Sequence, residues 1–116
     1  MEIKTITLYR PVGPQELALI EQSDMCKFPP RLPEQPIFYP VENEKYACEI
    51  AEHWNVRDSK KGFVTRFEID AEYLSRFSLQ KVGASHHLEY WIPAEELNEF
   101  NNHLIGKIEV IKSYGL

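Results

Sequence analysis

The chain is poor in the residues that staple small proteins together. It has two cysteines, Cys26 and Cys48, and they form no CxxC pair. A zinc ribbon and a dithiol redox motif are therefore excluded. No apolar run approaches the ~20 residues needed to cross a bilayer. Met1-Glu2-Ile3-Lys4 shows no apolar targeting core either. The expectation is a cytoplasmic protein with reduced thiols and no membrane partner. Basic charge is also scarce, the net charge being −5. Lys60-Lys61, followed by Arg66, is the sole basic cluster and reads as a solvated turn. A nucleic-acid partner is not expected from such a surface. His86 and His87 invite a metal reading. Read as neighbours on a strand they point to opposite faces, and His53, His103 and the cysteines add no ligand spacing. No metal site is expected.

What the chain does have is enough apolar material for a core. Hydrophobic residues make up 43% and charged residues 27% of 116 positions, which places it among ordinary globular domains rather than disordered chains. One domain spanning 1–116 is expected.

The patterning gives mixed elements. Residues 3–10 alternate as a β-strand ending at Arg10, and Gly13-Pro14 stops it. Pro14 opens a helix with Gln15 and Glu16 at its positive end and Leu17, Leu19 and Ile20 toward the core. Pro29, Pro30, Pro33 and Pro36 keep 23–36 irregular, a stiffened loop of the kind that is often functional. Ile37-Phe38-Tyr39 reads as a short buried strand ended by Pro40. From Glu42 to Trp54 the spacing of Ala47, Ile50, Ala51 and Trp54 predicts a helix buried along one stripe. Strands are then expected at 63–69, 78–82 and 87–92, with a short turn or helix near Tyr73 and Leu74. Pro93 should open a helix with Leu97, Phe100 and Leu104 inward. After Gly106 a last strand, 107–113, would put Ile108, Val110 and Tyr114 on one face. The fold class is α+β, with a mainly antiparallel, split sheet and two to three flanking helices.

Three places look more like a site than a core. Arg10 ends a strand. Phe38 and Tyr39 stand between the proline loop and a helix. Glu89 lies within His87-Leu88-Glu89-Tyr90-Trp91-Ile92, a carboxylate among residues that want burial. The order of these features resembles the ADP-ribosyltransferase superfamily at a distance. More closely, the whole chain resembles a family of small uncharacterised bacterial proteins labelled "ADP-ribosylation/crystallin J1". The matching words are Tyr9-Arg10-Pro11-Val12-Gly13, Phe28-Pro29-Pro30-Arg31-Leu32-Pro33, Pro36-Ile37-Phe38-Tyr39-Pro40 and Tyr90-Trp91-Ile92-Pro93-Ala94-Glu95-Glu96-Leu97.

The resemblance implies an ADP-ribosyltransferase-like fold and NAD, or a related nucleotide, as substrate. Cleavage of the nicotinamide–ribose bond passes through an oxocarbenium-like cation, which Glu89 would stabilise as the catalytic carboxylate. Arg10 would bind ribose or phosphate, and Tyr39 or Phe38 would stack on the nicotinamide. The chain departs from the superfamily at Pro11, which has no N–H to offer the nicotinamide amide. It has no Ser-x-Ser strand. It carries His87 where arginine-directed members have an acid, so arginine modification is not expected. The alternative expectation is a non-catalytic binding or interaction module, with Arg10 and the Phe28–Pro36 loop gripping a partner or small anion.

Overall fold

A computed structural model describes residues 4–115. The strands are β1 (Thr5–Val12), β2 (Ile37–Phe38), β3 (Lys61–Asp70), β4 (Leu79–Lys81), β5 (Leu88–Tyr90), β6 (Ile92–Pro93) and β7 (Leu104–Gly115). The helices are α1 (Pro14–Gln22), α2 (Glu44–Ile50), α3 (Val56–Ser59), α4 (Ala71–Leu74) and α5 (Leu97–Asn102). A π turn, Ala51–Asn55, joins α2 to α3, and a 3₁₀ turn, Ala94–Glu96, precedes α5. The chain is thus α+β, and among the described residues the strand pairings are antiparallel. No helix is long and apolar enough to cross a membrane among the described residues.

β3 lies at the centre of a sheet ordered β1-β3-β7. The free edge of β1 is extended by one residue: Val41 pairs with Tyr9 on one side and with Glu89 on the other. Tyr9 and Val41 exchange both backbone hydrogen bonds, at 3.0 and 2.8 Å. Through Val41 the β4-β5 hairpin joins the main sheet. The strand expected at 87–92 divides at Trp91, with β5 in this sheet and β6 paired to β2 in a second.

The sheet is covered on both faces. Leu8, Val12, Phe67, Ile69 and Ile108 face the main core, with Ile20 of α1 and Leu97 and Phe100 of α5. Val64, Val41, Ala47 and Ala51 form a second cluster beneath α2. Consecutive Val64 and Thr65 are both buried, because alternation turns them to opposite faces and both faces are covered. Opposite them β7 carries one extra residue, Ile111, at a register shift. The last strand departs from the expectation: Ile108 is buried but Val110 is exposed on this edge strand, and Tyr114 packs with Ile111 in the second cluster. Gly106, at φ +75°, does not precede β7 but lies inside it near a second register shift.

Phe28 belongs to the irregular 23–36 segment, yet it is fully buried. Its backbone is held by the Asn101 side chain, which accepts from Phe28 N–H at 2.9 Å and donates to its carbonyl at 3.0 Å. One amide thereby replaces the ladder bonds that the loop lacks.

Two helix faces differ from the periodicity. Leu19 is exposed, because on a 100° wheel Ile20 and Leu17 share a side that Leu19 does not. Trp54 is 54% exposed and lies against the Arg57 guanidinium at 4.3 Å. The π turn inserts an extra residue after Ala51 and rotates Trp54 off the buried stripe. At that turn β3 approaches so closely that a Cβ on Gly62 would collide with the Ala51 carbonyl oxygen. Gly62→Ala is therefore expected to destabilise the chain by about 1–3 kcal/mol, the range for overpacking. Urea unfolding checks this, and an unchanged midpoint would refute it.

Candidate functional site

Arg10, Tyr39 and Glu89 come from β1, the segment after β2, and β5. All three line one hollow of about 360 Å³, with Trp91 and Pro11 at its sides and Val41 and Ile50 beneath. The pairing Tyr9–Val41–Glu89 brings this about. Residues directly opposite across a sheet project on one side, so Glu89 faces α2. Arg10 alternates with Tyr9, points toward the main core, and still borders the hollow.

The Glu89 carboxylate is half-buried and held by two donors. Trp91 Nε1–H donates to Oε1 at 2.8 Å, and the Tyr46 hydroxyl donates to Oε2 at 3.2 Å. Trp91 reaches it because positions i and i+2 of an extended chain share a side. Tyr46 reaches it from the first turn of α2, whose start is fixed by Asn43: its side chain accepts from Tyr46 N–H at 2.8 Å and donates to the His86 carbonyl at 2.5 Å. Burial, then the charge of Glu89 and the hydrogen bond to it, push the Tyr46 hydroxyl up to about 12. Tyr46 is thus a firm proton donor to the carboxylate at neutral pH.

Arg10 is buried, and Nε, Nη1 and Nη2 each donate one hydrogen bond. Its guanidinium forks onto Glu16, with Nε–Oε2 at 2.6 Å and Nη2–Oε1 at 2.8 Å. Nη1 donates to the Tyr39 carbonyl at 3.3 Å. Gly13-Pro14 turns the chain so that the first turn of α1 presents Glu16 to the strand end it has just left. Arg31 approaches the same carboxylate from the proline loop, Nη1–Oε1 3.7 Å, and its buried Nε has no hydrogen-bond partner. Burial and the neighbouring Arg10 lower the Arg31 pKa from the ordinary arginine value, while Glu16 and the Tyr39 hydroxyl oppose that shift. Two guanidiniums on one carboxylate leave a net positive charge beside the hollow.

Phe38 requires a correction. It is fully buried, at 5.1 Å from the Phe28 ring and 5.3 Å from Phe100, and the Arg10 guanidinium lies 4.5 Å from its centroid. It supports Arg10 from below and offers no face for stacking. Tyr39, the next residue, alternates outward and is 40% exposed, and Trp91 is 45% exposed. These two are the rings available at the hollow.

The geometry around His86 and His87 also differs from the strand reading. β5 begins at Leu88, so both histidines lie in the turn before it. Strand alternation does not apply there. His86 Nε2 meets Glu49 Oε1 and His87 Nε2 meets Glu49 Oε2, each at 2.9 Å. These hydrogen bonds pull the Glu49 carboxyl below its ordinary pKa. The partners Glu16, Arg31, Tyr46 and Glu49 had no local signature. Trp91 did have one, because alternation already put it beside Glu89.

No protein-family model and no curated protein sequence matches this chain.

Proposed function

We propose that the hollow bounded by Arg10, Tyr39 and Glu89 binds a nucleotide-like small molecule of the NAD class. The observation that carries this reading is the convergence of those three side chains, from segments far apart in sequence, on one depression. Its volume of about 360 Å³ lies at the small end of ligand sites, which run from about 300 to 1,000 Å³. It suits the nicotinamide–ribose half of a dinucleotide better than the whole molecule. Tyr39 and Trp91 supply flat surfaces for a heteroaromatic ring. Glu89, oriented by Trp91 and Tyr46, is placed to accept a ribose hydroxyl and to stabilise positive charge developing at the anomeric carbon. The surplus charge of Arg10 and Arg31 over Glu16 attracts phosphate. This reading, on an ADP-ribosyltransferase-like scaffold, extends to transfer or hydrolysis at the nicotinamide ribose.

One feature favours binding without chemistry. Three of the five Arg10 N–H donors already bond Glu16 and Tyr39, and Pro11 has no N–H. Arg10 then shapes the hollow and does not grip the ligand.

The test uses NAD and ADP-ribose with the full chain. A ligand at tenfold over its Kd stabilises the fold by about 1.4 kcal/mol, which raises Tm by about 6 °C in a chain of this size. Chromatography should detect released nicotinamide. Glu89→Gln is expected to lower that release by about 100-fold while binding persists. Binding with no release from the unaltered chain would leave the non-catalytic module. No Tm shift at millimolar NAD or ADP-ribose would end the nucleotide reading.

A further inference from the structure

We propose that Glu49, His86 and His87 form a binding site for a divalent transition-metal ion such as Zn²⁺ or Co²⁺. The inference stands apart from the nucleotide reading. It rests on a juxtaposition that neither α2 nor the 84–87 turn contains alone: two imidazole Nε2 atoms converge on one carboxylate, with a ligand atom from each residue inside a circle of 4.8 Å. The 2.9 Å N–O separations are hydrogen bonds; ligands about 2.0–2.2 Å from a tetrahedral ion stand roughly 3.4 Å apart, so seating the ion needs each pair to part by only about half an ångström. Two histidines and a carboxylate are a donor set that suits borderline metals and leaves coordination positions open.

The supports are already built. Asn43 caps α2 and also binds the His86 carbonyl, so one side chain ties the helix bearing Glu49 to the turn bearing both histidines. Tyr46 stacks on His87 at 4.4 Å and fixes its ring plane. His86 and His87 each keep 27% of their side chain exposed, and Glu49 keeps 36%, so an ion has a path in. A depression of about 380 Å³, lined by Glu49 and His87 and floored by Ile50, opens beside the cluster. Open coordination positions would face it.

The ion must displace protons. In the metal-free arrangement each Nε2–H donates to Glu49, and the His87 Nδ1 accepts from Ala84 N–H at 3.1 Å. Metal on Nε2 moves the proton of each ring to Nδ1, which gives up both bonds to Glu49 and the bond from Ala84 to His87. Ala84 is exposed, so water replaces that acceptor. Three hydrogen bonds, one exposed and two half-buried, are thus exchanged for three metal–ligand bonds.

Titration of the tag-free full chain with Zn²⁺, and with Co²⁺ followed by its visible absorption, tests the site. One equivalent is expected to bind. His86→Ala, His87→Ala and Glu49→Gln should each weaken it at least tenfold, with far-UV circular dichroism reporting that each variant folds. His53→Ala, which alters a residue of the same depression outside the three-ligand cluster, should change it less than twofold. In the unaltered chain Zn²⁺ should shift the Nε2 nuclear magnetic resonances of His86 and His87 and spare His103. Unchanged histidine resonances, or affinity equal in the double variant H86A/H87A, would overturn the assignment. So would a tenfold loss in His53→Ala with none in His86→Ala.

Discussion

Phe28→Ala is expected to lower stability by about 3–5 kcal/mol, the range for removing a buried aromatic ring. Domains of this size are stable by about 5–15 kcal/mol in all, so the variant would be marginal. The magnitude follows from its surroundings. Phe28 is fully buried and meets Phe67 at 4.9 Å and Phe38 at 5.1 Å in tilted and edge-on contacts. Asn101 clamps its backbone on both sides, which limits how far the loop can collapse into the void. Unfolding by urea, with the midpoint and slope measured together, gives the number. A loss below about 1 kcal/mol would show that the proline loop is not part of the core. The effect should also reach the hollow, because Phe28 supports Phe38 and Phe38 underlies the Arg10 guanidinium.

Glu16→Ala should cost about 3 kcal/mol. Removing one partner of a buried ion pair leaves the other charge desolvated, which costs about 3–5 kcal/mol. The lower end applies because the Glu16 side chain keeps 20% of its surface exposed. The carboxylate holds two guanidiniums, and without it Arg10 and Arg31 would face each other unscreened. The double variant Glu16→Ala with Arg10→Met should recover part of the loss, since it removes a buried charge as well as its partner. If Glu16→Ala unfolds at the same denaturant concentration as the unaltered chain, the ion pair carries no net stability. The function of the site would then have to be argued without it. In the binding assay Glu16→Ala separates two roles for Arg10. If Arg10 only shapes the hollow, affinity for NAD falls with the fold. If it can turn to phosphate, affinity survives.

Much of the architecture follows from local rules. Alternation marked β1 and β3, where Leu8 and Arg10, and Thr65, Phe67 and Ile69, are buried at every second position. Gly13-Pro14 marked the start of α1, and the prolines of 29–36 excluded regular structure there. Asp70 marked α4, accepting from Glu72 N–H at 2.9 Å as its cap. These succeed because the interactions responsible span only a few residues. The same rules missed Trp54, Val110 and the division of the strand at Trp91. A π turn rotates Trp54 outward, a change of sheet divides the strand, and Val110 lies on an edge strand without cover; nothing in the composition announces these.

The site divides along the same line. Residue types and their placement were enough to single out Arg10, Tyr39 and Glu89, because a guanidinium at a strand end, an aromatic beside a proline loop and a carboxylate in an apolar strand are each locally conspicuous. By itself the sequence determined the elements, their order and these conspicuous groups. Only the tertiary structure decided that Val41 bridges β1 to β5 and so gathers the three into one hollow. It also decided that Glu16 engages Arg10, that Tyr46 engages Glu89, and that Glu49 lies between two histidines 37 and 38 positions away. The physical reason is range. Backbone preference and side-chain periodicity act over neighbouring residues, whereas a charge is paired by whatever partner the packed chain brings within about 4 Å.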